Sequence, residues 1–245
     1  MIPVGGSVRS VRPPVVTVLL IAACVIVFLG ELRLPERALA AAIEQYGVIP
    51  ARQLWALERD AGQLELWLTP LVTSLFLHGG WSHLLGNMLY LWVFGDGVEN
   101  RLGHARFLLF FLLCGAAAAQ AQVLMAPGSV TPMIGASGAI AGVLGSYLAL
   151  YPWASITMVL PIFFIPYFFD VPALLFVGIW FLHQLLAGAA WTLSTAAAEA
   201  GGVAWWAHVG GFLTGVLLLP LFLDRRHHGH EPRHYRGPYR YTLRH

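Results

Sequence analysis

The chain contains no lysine, and only 11% of its 245 residues are charged. Soluble domains carry roughly 25%. So few charges cannot clothe the surface of a soluble protein of this size. Its two cysteines, Cys24 and Cys114, each lie inside an apolar run, which gives neither a disulfide framework nor a thiolate ligand pattern. Both read as packing residues. A net charge of +2 is too small for nucleic-acid binding by the whole chain. What the chain has instead is apolar bulk. Apolar residues make up 58% of it, against the roughly 45–50% of soluble proteins. The mean hydropathy is +0.70. The expected class is an all-α, multi-pass membrane protein.

A bilayer core of about 30 Å needs roughly 20 apolar helical residues. Six stretches qualify in whole or part: 15–34, 82–95, 107–125, 137–151, 172–187 and 203–223. The first lacks a small-residue cleavage site after it and is expected to be a retained span, not a signal peptide. The apolar stretch 154–169 is broken by Pro161 and Pro166, so it reads as surface-lying and not as a span. Residues 35–67 are too rich in Leu, Ala, Trp and charge for a plain linker, and read as an amphipathic segment on the outer leaflet. The organisation expected is a segment 1–14, a six-helix domain 15–223, and a basic, His-rich, disordered tail 224–245 containing His227, His228, His230 and Tyr235.

Arginine placement sets the orientation. With six spans, Arg33, Arg37, Arg52 and Arg59 fall on one side, and the other ten arginines lie with the termini. The termini are therefore expected in the cytoplasm, and spans two, four and six run inward from the outer face.

Polar side chains in hydrocarbon are expensive and mark function by default. Here they gather at one depth. Span two opens with Ser82, His83 and Asn87, span four with Ser137, and span six carries His208 about a turn and a half from its start. Span four is short, so its beginning is expected to be submerged and its preceding loop to line a water-filled cavity. Gly135 and Gly138 flank Ala136-Ser137 and allow a tight turn and close backbone approach. Gly138 and Gly142 on span four match Gly211 and Gly215 on span six, small residues four apart that let helices touch backbone to backbone. That contact brings Ser137 beside His208, and a hydroxyl bonded to an imidazole is an activated nucleophile. The acids nearest span six, Glu199 and Asp224, do not complete a triad, so a Ser–His dyad is expected. His83 and Asn87 are four apart on one helical face and can offer an imidazole N–H and an amide to an oxyanion beside the Ser137 N–H. His183, in mid span five, is expected to make a structural hydrogen bond to a neighbouring helix.

These residues resemble the rhomboid intramembrane serine proteases. FLHGGWSHLLGNMLYLWVFG, holding His78, His83 and Asn87, is similar to the family's span-two motif, GASG around Ser137 to its nucleophile motif, and AHVGG around His208 to its base motif. The resemblance spans roughly residues 15–223. It implies a bacterial-type, six-transmembrane-helix rhomboid bundle with a short central helix 4 and a membrane-embedded outer loop at residues 35–67. It implies Ser137 as nucleophile, His208 as base, His83 and Asn87 as oxyanion stabilisers, and His78 as a supporting polar residue. The family's Trp-Arg motif is not evident in the outer segment. Substrates would be single-span membrane proteins whose helix tops unwind. They would pass sideways between spans two and five, where Trp180 and Phe181 are bulky enough to gate. No cofactor, metal or nucleic acid is expected, and the location implied is a bacterial inner membrane. Two other readings are weaker: a catalytically inactive rhomboid-like binder of membrane helices, and a transporter using His78, His83, His183 and His208. The first would be expected to lose Ser137 or His208, and the second lacks carboxylates or thiolates at ligand spacing.

Overall fold

A computed structural model describes residues 2–8, 10–59, 64–163, 165–193 and 202–224, with backbone alone for 57–59 and 64–66. The elements in chain order are β1 Ile2–Gly6, α1 Val15–Glu31, α2 Glu36–Tyr46, α3 Pro50–Arg59, α4 Leu64–Thr73, α5 Trp81–Leu102, α6 His104–Met125, α7 Ser137–Leu150, β2 Ser155–Ile162, β3 Ile165–Pro172, α8 Ala173–Leu193 and α9 Trp205–Phe222. Among the described residues, α6, α8 and α9 are long and apolar enough to cross a membrane, and α1 and α7 are shorter apolar helices. The protein is a multi-pass integral membrane protein. Residues 225–245 of the expected tail, with its histidines, and Glu199 lie outside the described residues.

Helix α7 is the centre of the bundle. Every residue from Gly138 to Tyr147 is buried, as expected of a helix that is apolar all round. Its 14 residues rise only about 21 Å. Glycine sets how closely α9 lies against it: a Cβ on Gly211 would overlap the Gly138 carbonyl oxygen, and one on Gly215 the Gly142 carbonyl oxygen. Ser146 adds a hydroxyl donated to the Gly215 carbonyl at 3.0 Å. On the other flank Gly138 meets Ala118 and Gly142 meets Cys114, both on α6.

Two expected helix ends need correction. Span two does not stop before Asp96, because α5 continues to Leu102. Its late acid, Glu99, is buried and accepts hydrogen bonds from the N–H groups of Val16 and Thr17 at 2.8 and 2.7 Å, and from the Thr17 hydroxyl at 2.7 Å. A carboxylate satisfying otherwise orphaned N–H groups at a helix N-terminus is stabilising. His104 Nδ1 lies 2.6 Å from the same carboxylate. Span five also runs on past residue 187, to Leu193.

The stretch 154–169 is not a span, and it is ordered as strands, which its sequence pattern alone does not show. Its β-branched and aromatic residues form the hairpin β2–β3, and β1 from the N-terminal segment pairs antiparallel with β2 in a sheet of order β1-β2-β3. Pro161 is tolerated because β1 reaches only as far as Val159.

The outer segment folds as α2, α3 and α4. Arg52 closes it by donating to the carbonyl oxygens of Glu44 and Gly47. Val48 bridges to Met133 through paired backbone bonds of 3.0 and 2.7 Å, tying this segment to the loop ahead of α7.

Overpacking a filled contact costs about 1–3 kcal/mol. Gly215→Val should therefore lower the thermal unfolding temperature in detergent. Gly178→Ala, whose added Cβ on α8 meets nothing, should leave it unchanged or raised. Equal stability of the two variants would remove the backbone contact from this account.

Candidate active site

Ser137 is the first residue of α7, so its N–H belongs to the group that a helix leaves unsatisfied. The turn before it uses Gly135 at φ +107°, a conformation side-chain-bearing residues rarely adopt. The Gly135 N–H is pinned to the Ser74 carbonyl at 2.8 Å. A Cβ at Gly135 would run into the His83 ring and lie 3.3 Å from Asn87 Nδ2, so this glycine lets the loop touch α5.

His208 stands at the top of α9. That helix starts at Trp205, not near Val203, which places His208 within the first turn, about 4.5 Å below the start, and not a turn and a half down. The start is fixed by a side chain of α6: Gln122 Oε1 accepts the N–H groups of Trp206 and Ala207 at 3.1 and 3.2 Å.

The imidazole is held from both sides. Its Nε2 lies 2.9 Å from Ser137 Oγ, and its Nδ1 lies 2.8 Å from Gln184 Oε1 on α8. An amide oxygen only accepts, so Nδ1 carries the proton and Nε2 is left to accept the Ser137 hydroxyl. The Gln184 amide nitrogen in turn meets His183 Nδ1 at 3.3 Å. Among the described residues, His183 thus bonds within its own helix and meets α9 through an edge-on ring contact with Trp205 at 5.5 Å, in place of the interhelical bond expected of it. The Trp180 ring centroid is 5.8 Å from that of His208.

Facing this pair, α5 presents His83 and Asn87. His83 Nδ1 accepts the Gly79 N–H at 3.4 Å, which leaves Nε2–H as the donor on the side of Gly135. Asn87 Nδ2 is buried with no hydrogen-bond partner among the described residues. Buried amide donors are almost always paired, so an open one on a residue that lines a cavity calls for an acceptor. Ser82, His83, Asn87, Ser137, Trp180 and His208 line one cavity of about 690 Å³.

His78 lies behind this face. Its ring sits edge-on to His83 at 5.2 Å, its Nδ1 bonds the Phe76 carbonyl at 3.0 Å, and its N–H reaches the Glu31 carboxylate at 3.3 Å. Burial pulls this loop imidazole down to about 4, so it is neutral at pH 7. Among the described residues, no three His, Cys, Asp or Glu side chains gather as metal ligands would.

Sequence reasoning missed Gln184 and Gln122. The signal was available: each is a polar side chain in an otherwise apolar helix, the pattern that singled out His208. The proposed gate also differs. Phe181 stacks on Phe212 of α9 at 4.2 Å, and Trp180 also faces α9. The aromatic that spans from α8 to α5 is Phe176, stacked on Phe94 at 6.1 Å and 6°.

Comparison with known proteins yields one consistent result. A family model described as "Rhomboid domain" matches residues 63–225. Rhomboid protein 1, mitochondrial, from Saccharomyces cerevisiae is 33% identical over 151 residues, covering 60% of this chain and 40% of the relative. Rhomboid protease GluP from Bacillus subtilis is 44% identical over 78 residues, covering 32% of this chain and 15% of the relative. The putative rhomboid protease YdcA of the same organism is 38% identical over 78 residues, covering 32% of this chain and 39% of the relative. The chain thus spans less than half the length of each of these relatives.

Proposed function

The chain belongs to the rhomboid family, and on that premise we propose that it is an intramembrane serine endopeptidase that cleaves the membrane segments of single-span proteins with a Ser137–His208 dyad. The observation that carries this reading is the 2.9 Å Ser137 Oγ–His208 Nε2 contact, at a cavity also lined by Asn87, whose Nδ2 has no partner among the described residues. His208 Nε2 takes the hydroxyl proton as Ser137 Oγ attacks the peptide carbonyl. The oxyanion is met by the Ser137 N–H, Asn87 Nδ2 and His83 Nε2–H, the kind of preorganised donor set that supplies most of acyl-transfer catalysis. His208 then protonates the leaving amine, and a water activated by the same imidazole releases the acyl group. No step needs a metal or cofactor. Gln184 keeps the base in the productive tautomer, as a carboxylate does in a Ser-His-Asp triad. Substrates are helices whose upper turn unwinds to present its carbonyls, and they enter between α5 and α8.

The protease unit is residues 15–223, with α1, α5, α6, α7, α8 and α9 as its six spans. Residues 1–14 and 224–245 face the cytoplasm of a bacterial inner membrane, and the arginine asymmetry is the ground for that orientation.

Ser137→Ala and His208→Ala should each abolish cleavage of a single-span test substrate, with the double variant no worse than either, because groups acting as one unit are non-additive. Asn87→Ala should retain slow turnover, reduced by about 10²–10³ in kcat at nearly unchanged KM. Gln184→Leu should also lower kcat and not KM. Full activity after loss of Ser137 or His208 would end the dyad assignment.

Orientation is tested by an impermeant thiol reagent on spheroplasts, since the native cysteines are buried. Arg37→Cys should label from outside and Val11→Cys only after permeabilisation. The reverse pattern would invert the topology.

A further inference from the structure

The hairpin between α7 and α8 takes no part in the chemistry above. No charged residue occurs from Ser155 to Phe169. Near the bundle it behaves as core: Ile156 and Met158 are buried, and Phe169 and Val171 pack against the same cluster. Its far end does the opposite. Ile162, Phe163, Ile165, Tyr167 and Phe168 are 46%, 94%, 73%, 58% and 58% exposed.

The turn itself departs from ordinary hairpin chemistry. Ile162 pairs with Ile165, leaving a two-residue connection, where Asn, Asp or Gly is the usual choice. Here the first of the two is Phe163. Phe163 sits at φ +54°, a conformation a bulky side chain adopts only at a cost. Facing water, that cost and the exposed rings would bring nothing in return. In a lipid interface the same rings are favourable: Tyr167 suits the headgroup level, where amphipathic aromatics collect, and Phe163 and Phe168 bury apolar surface among acyl chains.

The hairpin is also placed to reach that boundary. Its base is closed by the Ala173 N–H to the Ala154 carbonyl and the Leu174 N–H to the Pro152 carbonyl, both 2.8 Å, which join the start of α8 to the short connection that follows α7. β1 braces β2 from the other edge. Each eight-residue strand reaches about 27 Å. Beyond Asp170, which accepts the Thr157 hydroxyl at 2.8 Å, β3 leads into α8, whose Leu174, Leu175, Ile179 and Leu182 are exposed as well. Because α7 runs from Ser137 to Leu150, this end of the bundle is the one opposite the Ser137–His208 pair.

We propose that the β2–β3 hairpin is a membrane-contact element whose tip, residues 162–168, inserts at the headgroup–acyl boundary of the leaflet opposite the Ser137–His208 site. The occupant of its apolar surface is bilayer lipid. Since β3 leads directly into α8, the insertion anchors the base of that helix.

The test is power-saturation EPR of nitroxide-labelled full-length protein in phosphatidylcholine–phosphatidylglycerol vesicles. Phe163→Cys and, independently, Tyr167→Cys carry the label. Val11→Cys serves as the aqueous reference and Leu182→Cys as the lipid reference. Labels at 163 and 167 should be relaxed by oxygen more than by a water-soluble nickel chelate, as at 182. Relaxation by nickel matching that at 11 would overturn the proposal. Label–label broadening between copies would do so too, because the occupant would then be a second chain. Neither readout involves cleavage, so the result stands apart from the protease reading.

Discussion

Two backbone contacts hold this molecule's design: Gly211 against the Gly138 carbonyl and Gly215 against the Gly142 carbonyl. Within a bilayer, apolar side chains gain nothing by leaving lipid for one another, so helices associate through close packing and polar partners. Glycine removes the side chains between α7 and α9, and the two helices then have a single register. That register puts the first residue of α7 level with the first turn of α9. The Ser137–His208 distance of 2.9 Å follows from packing one or two turns further down.

Amides and carboxylates finish what the glycines begin. Gln122 of α6 fixes where α9 starts, and Gln184 of α8 fixes which nitrogen of His208 carries its proton. At the opposite end, Glu99 of α5 caps α1. In each case a long-range partner satisfies groups that would be costly to bury alone. Asn87 Nδ2 is a buried donor without a partner among the described residues, on a residue that lines the cavity.

Much of this was legible in the sequence, and the physical reason is specific. The shared glycine spacing and the polar residues at one depth are local patterns that need only a helical repeat to interpret. Membership of the rhomboid family followed from the motifs those residues form. What was not legible depended on partners far along the chain. Span two reads as ending before Asp96 because the partners that let Glu99 stay buried lie on α1, some 80 residues earlier. Gln184 was passed over because nothing in span five alone says that its oxygen meets an imidazole on α9. Residues 154–169 hid a hairpin because an apolar run interrupted by prolines has neither helical nor alternating periodicity, and its pairing strand β1 comes from the far N-terminus. The start of α9 was misplaced by two residues for the same reason, since its cap is supplied by α6.

The central claim is that packing at the glycines makes Ser137 a nucleophile through His208. Reaction of detergent-solubilised protein with a fluorophosphonate probe tests it most directly, because that probe reports the activated hydroxyl without requiring a substrate. The account predicts labelling of the wild type that is lost in both Ser137→Ala and His208→Ala. Labelling that persists without Ser137, or that is undiminished without His208, would contradict it.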